Sequence, residues 1–349
     1  MIQASALAAE ITAVTPTSAK LAVKMTAVTP TRVILTVKQI ATFKVGKHDS
    51  VSCGTMASVE GPSGSLYVDG DYTGEKTPTG LDLPPGNHRV AVGTDDDRYL
   101  LIEVQVSEDR EPCTLTLKPE NRLLPTEYKA LYVDIHSISA DACDVHASNE
   151  ELDAIFDLFM HNLKELWEPY SYRTIAWTVK RERTQGTIGG GGWSDVRPAI
   201  GPVGYDEYDV VFWGWKTSGR DCQVAGGGGL AAWQGDLAGG TSTFRFDSTD
   251  VVEQVAWFFS ADPGPFVHES LHIAEFSFLG ERAGIDGATM GVDFFLHQAE
   301  KYGYEYPWLE WYRHHIRGQV AGSDGVWLGL RPELLNSCTI RAGRDACDW

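Results

Sequence analysis

Pro263-Gly-Pro-Phe-Val-His268-Glu269-Ser270-Leu271-His272-Ile-Ala-Glu-Phe276 is the stretch on which the reading of this chain turns. Asp262 or Ser260 offers an N-cap, and Pro263 or Pro265 suits a first turn. Phe266, Val267, Leu271, Ile273 and Phe276 supply an apolar side, so a helix half sunk in a core is expected. Residues four apart stand one turn above each other on such a helix. His268 and His272 therefore present two imidazole nitrogens to a single point, and zinc accepts such a pair at about 2.0–2.1 Å. Glu269, one residue on, is placed to take a proton from the attacking water as general base. Zn2+ is the expected cofactor.

A third ligand has to come from farther along. Glu275, Glu281, Asp286, Asp293, His297 and Glu300 follow the motif. Glu275 lies on the same helix and reads as an outer partner that orients a histidine. The run Gly291-Val-Asp-Phe-Phe-Leu-His-Gln-Ala-Glu-Lys-Tyr-Gly-Tyr304 reads as a loop entering a second helix that stops at Gly303. A histidine facing back from it completes a three-histidine set, so His297 is favoured, with Glu300, Glu281 and Asp286 left open. Tyr304, Tyr312, His314 and His315 are candidates to donate a hydrogen bond to an oxyanion, without a ranking among them. Packing of a final helix by Trp308, Trp311 and Ile316 is the plainer use of that segment. His136, His146 and His161 show no ligand spacing.

Upstream, alternating and helical patterns succeed one another. Tyr128–Ile135 reads as a strand, and Asn149 as the cap of a helix reaching about Glu168. Thr174–Val179, Tyr208–Trp215 and Thr241–Phe246 read as strands, and Val251–Phe259 as a helix. This order, ending on His268–His272, resembles the N-terminal subdomain of zincin peptidases. The resemblance implies a twisted sheet backing the metal helix, with an exposed edge strand to which an extended peptide adds by backbone hydrogen bonds. The glycine-flanked 229–246 segment is the candidate edge. The metzincin extension is missing, because Glu275 and Phe278 stand where that group has glycine and histidine.

The first third of the chain differs in kind. Residues 11–24 and 25–38 repeat Thr-Ala-Val-Thr-Pro-Thr followed by an alternating β-branched run, which predicts a small β element interrupted at proline. Pro62-Ser-Gly-Ser-Leu-Tyr-Val-Asp-Gly70, then Gly74, Thr77-Pro78 and Leu83-Pro-Pro-Gly86, look like the PEGA domain, a small β-sandwich of bacterial and archaeal surface proteins. That likeness implies an adhesion or spacer module without catalysis. Three segments are expected: 1–56 a β repeat, 57–120 a PEGA-like all-β domain, and 126–349 an α+β zincin-like catalytic domain.

Composition narrows the partners. With 29 basic against 48 acidic side chains and a net charge of -19, the chain is repelled by phosphate backbones, so no nucleic-acid partner is expected. No apolar run reaches the ~18 residues of a membrane span. Residues 1–10 resemble at most the small-residue end of an export signal. Cysteines at 53, 113, 143, 222, 338 and 347 suit an oxidising compartment, hence a secreted or cell-surface protein. Pairing neighbours, 53–113, 143–222 and 338–347, keeps each bridge inside one structural unit. The expected activity is hydrolysis of peptide bonds in a protein or peptide substrate. The alternatives are an adhesive surface protein with an inactive or metal-stabilised domain, and a zinc hydrolase of a non-peptide bond.

Overall fold

The tandem repeat gives a two-stranded antiparallel pair, Val23–Thr29 with Arg32–Val37, on the two sides of Pro30. A computed structural model describes residues 23–29, 32–37, 50–140, 143–190, 192–201, 207–217, 229–233, 240–246, 248, 250–278, 295–323 and 325–342. The chain divides into two units, Met1–Lys47, which holds that pair, and His48–Trp349. The first copy of the repeat lies mostly outside the described residues.

The second unit begins with an all-β part whose first strand, Ser50–Cys53, precedes the expected boundary at 57. Five strands (50–53, 99–106, 86–94, 64–68 and 71–76, in spatial order) form one sheet, and three (113–116, 56–60 and 79–82) form another. Ala57, Val59 and Leu115 from the small sheet meet Leu66, Val90, Val92, Leu100, Ile102 and Val104 from the large one in a shared core. Successive strand residues alternate faces, so Tyr67, Ala91, Tyr99 and Leu101 point the other way. Asp69 and Gly70, both at positive φ (52° and 85°), make the tight turn between Gly64–Val68 and Asp71–Lys76. Cys53 and Cys113 are joined in a disulfide that ties the two sheets together, as neighbour pairing predicts. Cys338 is oxidised as well. The 143–222 and 338–347 pairings involve residues outside those described.

The remainder is mixed α/β, built on β1 (Thr126–Asp134), β2 (Ile175–Arg183), β3 (Val210–Lys216), β4 (Gly229–Trp233) and β5 (Gly240–Phe246). Their order is β2-β1-β3-β5-β4, all parallel except β4, which runs antiparallel along the edge beside β5. Central strands of such sheets are covered on both faces, which is why Val210-Val-Phe-Trp-Gly-Trp215 is apolar without a break. Ala130, Tyr132, Val210 and Phe212 face the helical layer that contains the metal-motif helix. Leu131, Val133, Val211, Trp213 and Trp215 face a second core closed by Trp193 and Val196.

The helices are α1 (Asn149–His161), α2 (Trp193–Ala199), α3 (Val251–Ala261), α4 (Pro265–Phe278), α5 (Leu309–Arg317) and α6 (Pro332–Ser337). Gly214 lets α1 lie close on the sheet, since a Cβ there would stand 2.3 Å from a methyl of Ile155. Ser148, not Asn149, is the N-cap of α1. Its side chain accepts from the Glu151 amide, while Glu151 reaches back to the Ser148 amide. The helix predicted to continue to 168 widens into a π turn over Asn162–Trp167. A hairpin, Ser137–Ala140 with Cys143–His146, and α2 have no counterpart in the sequence reading. Among the described residues no helix is long and apolar enough to cross a membrane.

Candidate metal centre

Pro265 opens α4 as predicted, but the amides of Phe266 and Val267 are capped from far outside the local sequence, not by Asp262 or Ser260. The cap is Asn162, at the start of the π turn and fully buried. Its Oδ1 accepts from the amides of Phe266 and Val267 at 3.1 Å each, and its Nδ2 donates to the carbonyls of Pro263 (2.7 Å) and Leu158 (2.8 Å). Helix starts leave amides without intrahelical partners. One side chain from a distant helix satisfies two of them and anchors the turn that carries His268. π turns recur at functional sites, and Asn162 opens this one.

From this anchored start, α4 packs beneath β4 and β5 and lifts the motif to the edge of the sheet. The Nε2 atoms of His268 and His272 stand 3.2 Å apart. Two nitrogens about 2.0–2.1 Å from a tetrahedral ion are about 3.3–3.4 Å apart, so this spacing fits one metal ion held by both. The short 3-10 turn Phe295–Tyr302, where an α-helix was expected, brings up His297. Its ring centroid lies 5.4 Å from that of His268 and 4.7 Å from that of His272. One ligand atom from each of the three histidines falls within 4.8 Å of the others. His272 is buried and His297 exposed, so the group opens to solvent on the His297 side.

Charge and burial suit ligation. Burial, reinforced by His272 and His297, holds the His268 imidazole down at about 3, in the neutral form that binds metal. Glu269 is 6% exposed, and burial pushes its carboxyl up to about 8. A dication among the histidines opposes that burial effect and favours the carboxylate.

Around the histidines lies a ring of contacts. Tyr312 of α5 is buried, with its hydroxyl 3.1 Å from Nδ1 of His268 and its own pKa raised by burial. The Trp308 indole stacks over His268 at 6.2 Å and 26°. Behind His272 is Glu275, fully buried, with one oxygen 3.9 Å from His272 Nδ1 and the other 2.8 Å from His315 Nε2. Burial alone would raise the Glu275 carboxyl; the His272 imidazole at 3.9 Å and the hydrogen bond from His315 at 2.8 Å outweigh it and hold the group below its ordinary range. Glu275 is thus where an orienting partner is expected.

The other candidates are used elsewhere. Glu300, weighed as a ligand, accepts from Trp308 Nε1 at 3.1 Å. Tyr304 and His314 bond each other at 2.7 Å and line a cavity of about 740 Å³ with Tyr72, Arg313, Arg317 and Trp327. His136 and His146 share the Ser137 hydroxyl, and His161 packs on Phe259. Glu281, Asp286 and Asp293 lie outside the described residues. Asn162 and the Glu275–His315 pairing had no sequence signal, because both depend on helices that meet only in the fold. Compared with family models, with curated proteins and with solved structures, the chain matches none.

Proposed function

We propose that the chain is a zinc-dependent metallopeptidase. The observation that carries this is the group His268, His272 and His297 with the buried carboxylate of Glu269 beside it. Two imidazole nitrogens at a tetrahedral spacing, with a third within 4.8 Å, make a zinc donor set with one position left for chemistry. Zinc supplies a Lewis acid that polarises a carbonyl and makes a water acidic near neutral pH.

The chain's own residues do the rest. His268, His272 and His297 bind through neutral nitrogens, and the buried helix start fixes the first two. Glu269 is about 100° round the helix from His268 and about 60° from His272, so its carboxylate flanks the same point. A Glu269 oxygen takes the proton of the attacking water and passes it to the leaving amine. The opening at His297 admits substrate. Among the described residues β4 pairs on one side only, so it ends the sheet beside the metal helix, and an extended peptide adds there as a further strand. That edge, and the element order ending on α4, support the likeness to zincin peptidases. The disulfide-tied sandwich supports the PEGA-like assignment and a secreted or cell-surface setting.

The deciding experiment compares wild type with Glu269→Gln on an unfolded protein substrate, after measuring bound metal in both. Equal zinc in both, with turnover lost in the variant by at least about 100-fold, is expected for removal of a general base. Zinc without activity in either would favour a metal-stabilised structural or adhesive protein. No zinc in the wild type would sink the metal assignment altogether.

A further inference from the structure

Helix α5 faces the metal helix with two residues three apart, Tyr312 and His315, and each sits behind a different motif histidine. Residues three apart share a helix face, so one rigid element backs both ligands. The His315 side is the more closed. His315 and Glu275 have no exposed side-chain surface. Phe295 and Trp311 pack around the His315 ring at centroid distances of 5.0 and 5.9 Å. A carboxylate oxygen only accepts, so at 2.8 Å Nε2 of His315 carries the hydrogen and donates to Glu275. The other Glu275 oxygen faces Nδ1 of His272, whose Nε2 points at the ligand group.

We propose that His315 is a positioning residue for the metal centre, acting on His272 through the buried carboxylate of Glu275. The inference rests on the metal reading above. By pinning one carboxylate oxygen, His315 directs the second at Nδ1 of His272. Nδ1 then keeps the hydrogen, Nε2 keeps its lone pair, and the ring is held at one angle to the site. Such outer partners raise ligand basicity, and their loss weakens metal affinity by about 10–100-fold. Two buried ionisable groups in an apolar cluster are unfavourable unless paired, which leaves the pair a role beyond packing.

The test uses the full chain, freed of metal, titrated with Zn2+ against a chromogenic chelator and with Co2+ to read its visible absorption. His315→Leu keeps an apolar side chain in place but removes the donor. It should weaken Zn2+ binding about 10–100-fold and shift the Co2+ band even at saturation, which a merely structural loss would not do. His315→Gln restores a donor and should bind close to wild type. Glu275→Gln should weaken binding as His315→Leu does. Adding His315→Leu to it should cost nothing further, because both act through one chain of contacts. Wild-type affinity and spectrum in His315→Leu, or additive losses in the double variant, overturn the proposal while leaving the metal site standing. Should His315→Leu fail to fold, Glu275→Gln alone decides, and unchanged affinity there overturns it. A wild type that takes up neither ion removes the metal reading and this inference together.

Discussion

Asn162 shows what a single side chain contributes when every valence is used. It is wholly buried, donates to two carbonyls and accepts from two amides, so its replacement strands the Phe266 and Val267 amides of α4 and the Pro263 carbonyl before it, while the Leu158 carbonyl keeps the Asn162 backbone N–H. Each such group costs on the order of 1–3 kcal/mol. Asn162→Leu is expected to lower the stability of the metal-free protein by about 2–4 kcal/mol, read as a fall in urea midpoint at unchanged slope. Asn162→Asp should fall between, since it keeps the acceptor but faces two carbonyls with no donor. An unchanged midpoint in Asn162→Leu would mean that the start of α4 is held by something else. The same residue marks the limit of reading this site from sequence. His268, Glu269 and His272 are legible because helical spacing encodes them locally. The contacts of Asn162 span 104 residues to Phe266, and the Glu275–His315 pair spans 40. No periodicity carries such information.

Elements differ in how plainly they announce themselves. α1, α3 and α4 each carry a long apolar stripe, β3 is a nearly unbroken apolar run and β1 holds the apolar stretch Ala130–Val133, so their existence and type follow from pattern. α2 has 7 residues with Pro198 inside it, and the 137–146 hairpin has 4-residue strands, too short for any period to register. The π turn after α1 keeps the apolar stripe of a helix, so sequence alone reads straight through it. The sandwich depends on a cross-link as well as a core. Cys53 and Cys113 lie 60 residues apart and join strands of different sheets. Closing a loop of that length in the unfolded chain is worth about 4 kcal/mol. The double variant Cys53→Ala/Cys113→Ala should therefore unfold at lower urea, with the all-β part losing amide-exchange protection before α4 does. Equal protection in the variant would show that the core between the sheets suffices without the tether.

At the scale of the whole second unit, the sandwich meets the α/β part along a seam of tyrosines. Tyr67, Tyr99 and Tyr172 cluster there; Tyr99 stacks on Tyr172 at 5.5 Å, and the Tyr67 hydroxyl donates to that of Tyr172 at 3.0 Å. Gly93 is required at the seam, because a Cβ would stand 2.4 Å from the Tyr172 ring. Arg317 lies over the same ring at 3.9 Å, and Arg331 pairs with Asp71 at 2.6 Å. At the centre is Glu333 of α6, 4% exposed, accepting from the Tyr99 hydroxyl at 2.5 Å. Burial raises the Glu333 carboxyl, and the Tyr99 hydrogen bond with the Arg331 and Arg89 charges offsets this only in part. A carboxyl whose folded pKa is raised holds its proton more tightly in the folded state. Its contribution is complete below the ordinary carboxyl range and is lost as pH rises through the raised value. Glu333→Gln mimics the protonated form and keeps an acceptor for Tyr99. It should therefore raise the thermal midpoint at pH 8, by a margin that shrinks steadily toward pH 4 as wild-type Glu333 takes up its own proton. Scanning calorimetry of both proteins across that range measures the margin. A margin that stays constant with pH would assign the change to packing alone, and one that grows on acidification would mean that the carboxylate form is the one the seam prefers.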